Sequence, residues 1–454
     1  MLVLLSCLGQ FLVVLDVSIV NVALPSIDAA LRLDPVLTQW VVNAYALPFA
    51  GLLLVGGRLA DLVGLRRVLR SGLALVAVAS LLGGAATSAG VLLAARAGQG
   101  VGAAMVAPAT LTLLTTTVPE GARRHRALAV WTAVGLAGGT LGNLAGGVLT
   151  EYLSWRWVLW VNVPFAVVAA VMAVRAPDRR GRRRPVDVPG ALLAVLGLVA
   201  LTLAVGDVGD TRPATWVVLV VAAGALGAFV AVERRWAAVP LLPPTLLRIP
   251  SVARGNVVML LAGACLNPMW YFLTFAMQDV LGLGPSATGL GFLPHTMLTV
   301  VVGVWLTPRL LRVVAARTLV VSGALLAAVG FAWQSGLTAE AGYVAGVLGP
   351  AVFLALGSGL LNTPATILAT SGIAEEDAGA ASGLLNTTKQ VGAALGLAAL
   401  VAVTQFGDPL LAHGRAFAVM AVVSVATALA AMLLPAETSN TGQPRSGVAS
   451  DRPG

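Results

Sequence analysis

The feature that most constrains this chain is a series of long apolar segments joined by short polar connections. A helix needs about 20 mostly apolar residues to cross the hydrocarbon core of a bilayer. Fourteen segments meet this requirement, at roughly 2–25, 38–57, 68–87, 91–117, 127–149, 156–175, 188–206, 214–233, 255–281, 287–307, 318–336, 342–370, 379–406 and 414–434. The sequence therefore predicts an all-α integral membrane protein with 14 transmembrane helices, the first of them retained and not cleaved as a signal peptide.

The distribution of cationic residues indicates the topology. The net charge of +9 could suggest nucleic-acid binding, yet only 10% of the residues are charged, against about 25% in soluble domains. With a cytoplasmic N-terminus, 22 of the 28 cations fall in inside segments, four in outside segments and two within spans. This asymmetry predicts a multi-pass protein of the plasma membrane with both termini in the cytoplasm and no nucleic-acid partner. The arginine-rich run 179–184 is interpreted as an anchor facing anionic lipid.

Two charged residues lie deep inside apolar segments. Asp16 belongs to the stretch LDVSIVNVALP at 15–25, and Arg96 belongs to LLAARAGQGVGAAM at 92–105. A charge at that depth costs roughly 2.5–3.5 kcal/mol on insertion scales, so it usually binds or carries something. At about 1.5 Å per residue the two lie at similar depths, which allows them to meet. Asp16 either carries protons or only bonds a neighbouring helix, and the sequence leaves both interpretations open.

Glycines mark two further segments. In the connection GRLADLVGLRRVL, at 57–69, Gly57 and Gly64 bracket Asp61, and a basic pair follows. Asp61 can cap a helix or pair with Arg66 or Arg67. In the fifth apolar segment, glycines recur at steps of three and four residues and form one smooth helix face: Gly135, Gly138, Gly139, Gly142, Gly146 and Gly147. Such a face allows another helix to pack closely.

Uncharged polar side chains inside the segments are candidates for lining a cavity. They are Asn43, Gln99, Gln278, Asn362 and Asn386. For Asn43 and Asn362 a bond to a neighbouring helix is an equal alternative. Lys389 is interpreted as a snorkelling residue near the inner end of its segment, and the lone His295 as structural.

Several classes of site are excluded by missing motifs. A nucleotide-binding loop needs Gly-Lys-Ser/Thr, whereas Lys389, which is the chain's one lysine, stands between Thr388 and Gln390. The sequence also lacks HExxH and GxSxG, so we expect no enzyme and no ATPase. The histidines are too scattered for a metal site, and Cys7 and Cys265 lie in apolar segments where small buried thiols are expected.

Taken together, these motifs resemble the fourteen-helix drug:proton antiporter branch of the major facilitator superfamily. The resemblance is carried by LDVSIVNVALP, the inner-loop signature at 57–69, the Arg96-to-Gly100 signature, the glycine-rich fifth segment, and the stretches at 155–164, 275–294 and 378–398. The chain departs from the pattern at Leu62 and Leu65, where basic residues are common, and at Asn143, where a proline is usual. The corresponding second loop, at 306–314, lacks its aspartate.

The resemblance implies a fold and a division of the chain. Residues 1–175 would form an N-terminal six-helix bundle and residues 255–435 a C-terminal one. Residues 176–254 would hold a cytoplasmic arginine-rich loop and an inserted pair of helices, and residues 436–454 a disordered cytoplasmic tail. The resemblance further implies that the inner loop latches one conformation through Asp61 and its arginines, and that the glycine face seals the site against leakage.

The implied function is export of small lipophilic drugs or antibiotics by alternating-access exchange with protons. Asp16 and Arg96 would couple the proton, which enters from outside and displaces the substrate. The chain would act as a monomer, without a cofactor, driven by the proton gradient. A narrow-specificity metabolite exporter or a proton-coupled importer remains the alternative, and a membrane-embedded enzyme a distant one.

Overall fold

A computed structural model describes residues 1–178, 187–206, 213–235, 245–373, 378–405 and 412–435. In these ranges the chain is helical and contains no β-strand. The α-helices are α1 Leu2–Leu31, α2 Pro35–Val63, α3 Leu65–Gly84, α4 Ala89–Thr117, α5 Ala122–Tyr152, α6 Trp157–Trp160, α7 Asn162–Ala173, α8 Val188–Gly206, α9 Pro213–Arg235, α10 Pro250–Leu266, α11 Met269–Phe275, α12 Pro285–Gly291, α13 Leu293–Val301, α14 Thr307–Leu310, α15 Ala316–Gln334, α16 Gly349–Ala369, α17 Ala378–Thr404 and α18 Ala412–Met432. Short π-helical segments, Ala276–Val280, Val302–Leu306 and Val344–Leu348, continue three of the spans, and 3₁₀ turns occupy Leu246–Arg248 and Ala339–Ala341.

Within the described ranges, twelve helices are long and apolar enough to cross a bilayer. Two of the fourteen predicted segments are not among them. One is α3, which carries three arginines in its first six residues. The other, 156–175, is divided into α6 and α7 and yields the shorter apolar helix Trp157–Ala173. The all-helical membrane fold is thus confirmed, whereas the count of fourteen is not.

Prolines divide two of the predicted spans. The segment from Pro250 breaks between α10 and α11 at Asn267 and Pro268, and the segment from Pro285 breaks between α12 and α13 at Phe292, two residues before Pro294. A proline lacks the amide donor of the helical ladder and clashes with the preceding turn, so helices bend or end near it. Proline does not always have this effect, since α1, α2 and α4 contain Pro25, Pro48 and Pro108 and remain continuous, as does the proline-free α5.

The helices pack in two groups with a pair beside them. In the first group α4 contacts α1, α2 and α3, while α1 also contacts α5 and α7. In the second, α10 contacts α16, α17 and α18, and α15 contacts α16 and α18. The helices α8 and α9 pack on each other, and α8 touches α2 and α17. Contacts between α2 and α17, α5 and α12, and α1 and α11 join the two groups.

Side-chain burial fits a chain surrounded by lipid. The core of the first group includes Leu12, Leu69 and Leu113, and a second core joins Ile19 and Leu24 of α1 to residues of α11 such as Phe272. Many large apolar side chains nevertheless point outward, for example Leu82, Val171, Val220 and Val422. Exposed apolar surface on this scale is typical of a membrane-facing protein.

The prediction about the two cysteines can be compared with the fold, whereas those about the arginine-rich run and the tail cannot. Cys7 and Cys265 are both buried, which confirms that they are packed in the interior. The arginine-rich run 179–184 and the predicted tail 436–454 lie outside the described residues.

Candidate functional site

A buried ion pair lies at the centre of the first group of helices. Arg96 Nη1 of α4 donates to Asp16 Oδ2 of α1 at 2.7 Å. Both residues are only 2% exposed. A charge-assisted bond of this length is among the stronger hydrogen bonds in proteins. The pair therefore joins α1 and α4 in the interior, where an unpaired charge is costly.

Three further side chains complete the surroundings of Asp16. Gln99 Nε2 donates to Asp16 Oδ1 at 2.8 Å and Asn162 Nδ2 of α7 donates to the same oxygen at 2.5 Å. Gln99 Nε2 also donates to Ser80 Oγ of α3 at 2.8 Å. The carboxylate thus accepts three bonds, and the cluster ties together α1, α3, α4 and α7.

Arg96 is held on its other sides as well. Its Nε donates to the carbonyl oxygen of Val41 at 3.0 Å, and its Nη1 donates to Gln99 Oε1 at 2.9 Å. The guanidinium carbon lies 4.6 Å from the ring centre of Tyr45, within the range of a cation–π contact. The guanidinium is therefore fixed in position by α2 and α4 as well as by Asp16.

A large cavity lies between the two groups of helices. Its volume is about 1650 Å³, and its wall combines aromatic residues with polar ones. The aromatic lining comprises Tyr45, Phe49, Trp131, Trp270 and Tyr271, and the polar lining includes Asn21, Asn43, Asn267, His295, Ser358, Asn362, Asn386, Lys389 and Gln390. Apolar walls with a few placed polar groups are typical of small-molecule sites, which measure about 300–1,000 Å³ in most proteins.

The cavity is open at one end and closed at the other. Its lining extends to Arg58 and to the exposed Asp61, so it opens at the end that carries the inner loop. At the opposite end Gln278 Nε2 donates to the carbonyl oxygen of Val22 at 3.0 Å, and the Glu151 carboxylate accepts from Ser286 N at 2.8 Å. These two bonds join the first group of helices to the second.

Asp16 and Arg96 differ in their relation to this cavity. Arg96 is part of the cavity wall, whereas Asp16 lies behind the wall and borders only a small void of about 10 Å³ with Gln99. Asp16 therefore faces the cavity only through Arg96.

The glycine face of α5 contacts both groups. A Cβ at Gly138, Gly142 or Gly146 would lie within about 3.1 Å of backbone oxygens of α1. Gly147 packs in the same way against the backbone of Pro285 in α12, and Asn143, which replaces the family's usual proline, packs its carbonyl oxygen on Gly289. Gly135 meets the side chain of Gln10, and Gly139 has ordinary contacts only. Small residues here allow α1 and α12 to approach α5 closely.

The inner loop has part of its predicted geometry. Gly64 has φ of 101°, a conformation that favours glycine, and it ends α2 and begins α3. Arg66 Nε donates to the carbonyl oxygen of Ala176 at 2.6 Å, and Arg67 is exposed. In the described part of the chain neither arginine lies within 4.0 Å of the Asp61 carboxylate. Gly57 and Asp61 both line the open end of the cavity.

Three of the five candidate lining residues lie in the wall: Asn43, Asn362 and Asn386. The other two do not. Gln99 is committed to the buried cluster because it lies three residues from Arg96 on the same helix face, and Gln278 bonds α1 at the closed end.

Lys389, interpreted from sequence as snorkelling, lies instead in the cavity wall, 11 residues into α17 and thus about 16 Å from its start. His295 is also in the wall, with its Nδ1 3.3 Å from the carbonyl oxygen of Ala351. Asn162 and Ser80 were missed, since uncharged polar residues in apolar segments carry no signal of their partners.

Comparison with known proteins places this geometry in a family. The model of the Major Facilitator Superfamily matches residues 6–397. The chain is 51% identical to the cephamycin export protein CmcT of Amycolatopsis lactamdurans, over 96% of this chain and 93% of the relative. It is 42% identical to the puromycin resistance protein pur8 of Streptomyces alboniger, over 86% of this chain and 79% of the relative.

A solved structure shows the same architecture. A peptide transporter POT, 17% identical, covers 95% of this chain and 93% of its own with a TM-score of 0.72, which supports the fold alone. The family match, the two relatives and the helical arrangement around a central cavity all agree with the resemblance seen in the motifs. The chain belongs to the Major Facilitator Superfamily.

Proposed function

We propose that this protein exports small amphipathic drugs or antibiotics across the plasma membrane in exchange for protons. Members of the superfamily are transporters and not enzymes, and they generally need no cofactor. One relative is named for cephamycin export and another for puromycin resistance. The mixed aromatic and polar wall of the cavity suits substrates of this kind.

The proposed topology retains fourteen spans. Besides the twelve long apolar helices, α3 and the segment Trp157–Ala173 would cross the bilayer, since both pack against spans of the first group. Residues 1–175 and 255–435 would then form two six-helix bundles, with α8 and α9 as an inserted pair. The excess of arginines on one side supports cytoplasmic termini, and with them an open end of the cavity that faces the cytoplasm.

Transport would proceed by alternating access around this cavity. Opening to the outside requires breaking the contacts of α1 with Gln278 and of Glu151 with Ser286. The glycine face of α5 permits α1 and α12 to shift without side chains that interlock. The same shift would close the cytoplasmic end near Asp61.

The observation that carries the proton coupling is the contact between Asp16 and Arg96 at the cavity wall. Protonation of Asp16 removes the negative partner of Arg96 and so adds one positive charge beside the cavity. In this scheme Asp16 takes a proton when the cavity faces outward and releases it when the cavity faces inward. One proton crossing about 100 mV supplies roughly 2.3 kcal/mol, before any pH gradient is added.

The test is drug-induced proton release from inside-out vesicles acidified by respiration, followed with a pH-sensitive dye. Cephamycin and puromycin are added to vesicles with wild-type protein, Asp16→Asn or Asp34→Asn. Asp34 is the exposed N-cap of α2, where asparagine also caps well, so this variant is the matched control. We expect proton release with wild type and with Asp34→Asn, and none with Asp16→Asn.

Two other outcomes would count against the proposal. Equal release from wild type and Asp16→Asn would make Asp16 structural and move the coupling elsewhere. The next candidates are His295 of the cavity wall and Asp279 of the π-helical segment Ala276–Val280. No response of folded wild-type protein to any drug in a broad panel would favour a narrow metabolite exporter or an importer.

A further inference from the structure

Lys389 is the one lysine in the chain, and it lies in the wall of the central cavity. It projects from α17, in the second group of helices, whereas Arg96 belongs to the first. The charged lining residues among those described are Arg58, Asp61, Arg96 and Lys389. Lys389 therefore provides the cavity's cationic group on the side opposite the Asp16–Arg96 pair.

Lys389 has a neutral partner where a carboxylate would be expected. Its Nζ donates to Asn362 Oδ1 of α16 at 3.2 Å, and Asn362 is oriented by its own bond to the carbonyl oxygen of Ser358 at 2.8 Å. No carboxylate of the described residues lies within 4.0 Å of Lys389 Nζ. An ammonium has three donors, so two are available beyond the bond to Asn362.

The other charges of the cavity do not compensate Lys389. Arg58 and Arg96 are cations themselves, and the carboxylate of Asp16 is already paired with Arg96 behind the wall. Asp61 is exposed at the open end, on α2. A buried charge is costly unless it is paired, and a charge left without an opposite charge from the protein in a binding cavity is well placed to pair with a ligand.

The surroundings of Lys389 also suit the rest of such a ligand. Asn386 and Gln390 flank it on α17 and line the same cavity. Gln390 Oε1 accepts from Asn267 Nδ2 at 3.5 Å, so polar donors and acceptors lie close to the ammonium. Trp270 and Tyr271 offer aromatic surface in the wall of the second group.

We propose that Lys389 binds an anionic group, a carboxylate or sulfonate, of an amphipathic aromatic substrate held in the central cavity. This inference rests on the proposed function, since it names the substrate class of that cavity. Asn362 positions the ammonium, and the aromatic lining accepts the apolar part of the substrate. A substrate with an uncharged group in this position would lack the charge-assisted bond to Lys389 but keep the apolar contacts.

The experiment measures binding and not transport, so it remains informative if export fails. Purified full-length protein in nanodiscs is titrated with 1-pyrenebutyrate and with its neutral amide, which share one aromatic body. We expect wild-type protein to bind the carboxylate about ten- to a hundredfold more tightly than the amide, as for one bond to a charged group. This comparison needs no variant and therefore no assumption about folding.

Three variants then test whether Lys389 causes the preference for the carboxylate over the amide. Lys389→Gln removes the charge and should bring the two probes within about twofold of each other, with amide binding unchanged. Lys389→Arg keeps the charge and should keep most of the preference. Arg312→Gln, which removes an exposed cation that does not line the cavity, is the matched control and should bind as wild type does.

Several results would overturn the inference. Wild-type protein could be found to bind the carboxylate no more tightly than the amide, or to bind neither probe. Alternatively, Lys389→Gln could weaken the binding of both probes equally. The last would assign Lys389 to the packing of α16 on α17. A carboxylate preference that depends on Lys389, in a protein that exports no drug, would support the inference and refute the proposed function.

Discussion

The unequal positions of Asp16 and Arg96 lead to a prediction about stability. Removing Arg96 leaves a carboxylate behind the cavity wall, with only Gln99 and Asn162 as donors and a void of about 10 Å³ beside it. Breaking a buried pair in this way costs about 3–5 kcal/mol, because the remaining charge stays buried without its counter-ion. We therefore expect Arg96→Met to destabilise the protein by about this amount.

Removing the charge of Asp16 should destabilise the protein less than removing the charge of Arg96. Arg96 would keep its bonds to the carbonyl oxygen of Val41 and to Gln99, together with its contact with the ring of Tyr45. The loss is then close to that of one charge-assisted bond, about 1.5–3 kcal/mol. The double variant Asp16→Asn/Arg96→Met removes both charges and should recover part of the loss caused by Arg96→Met alone.

The assay is the apparent midpoint of thermal unfolding in detergent, read as the fraction that remains monodisperse after heating. Membrane proteins often unfold irreversibly, so the ranking of variants is more informative than absolute free energies. The expected order of stability is wild type, then Asp16→Asn, with Arg96→Met lowest and the double variant above it. Equal midpoints for the two single variants would refute the claim that the remaining contacts of Arg96 stabilise its charge better than those of Asp16 once the partner is removed.

Two other predictions test the helix contacts and the open end. Gly146→Ala would place a Cβ about 2.5 Å from the carbonyl oxygen of Ile19. We expect this variant to lose about 1–3 kcal/mol of stability and to export less drug. In the control Gly139→Ala the added Cβ meets only side-chain atoms at 3.6 Å, so both stability and export should equal those of wild type. The open end of the cavity can be tested with Asn386→Cys in a protein from which Cys7 and Cys265 have been removed. A membrane-impermeant maleimide should label this cysteine faster in inside-out vesicles than in right-side-out cells. Faster labelling in right-side-out cells would contradict a cavity open to the cytoplasm.

The sequence predicted those features that follow from the free-energy cost of placing a residue in its local surroundings. A charge inside an apolar segment needs a partner, and counting helical rise placed Asp16 and Arg96 at compatible depths, where the structure has them in contact. Glycines at steps of three and four residues similarly indicated one close-packed face, which the structure places against α1 and α12. Periodicity, hydropathy and charge were sufficient for these inferences.

Features that depend on tertiary packing could not be read in this way. Whether Asp16 faces the cavity or lies behind its wall depends on the rotation of α1 against α4 and α7, and Asn162 has no sequence signal that links it to Asp16. For Gln99 a signal existed, since it follows Arg96 by three residues and so shares its helix face. Lys389 was assigned to the membrane edge although its position in α17 already indicated mid-membrane depth.

The two proposals together change the energetics of the cycle. Protonation of Asp16 adds a positive charge, which would strengthen the binding of an anion at Lys389, so electrostatics alone cannot make the proton displace an anionic substrate. Exchange then requires that the proton-loaded and substrate-loaded forms be separated by conformation, through the contacts that close one end of the cavity at a time. The compensating advantage is electrical. One proton entering and one monoanion leaving move two charges in the favourable direction, roughly 4.6 kcal/mol at about 100 mV, against about 2.3 for an uncharged substrate and zero for a monovalent cation. That difference corresponds to a limiting concentration ratio in the thousands for the anion and of about fifty for the uncharged compound.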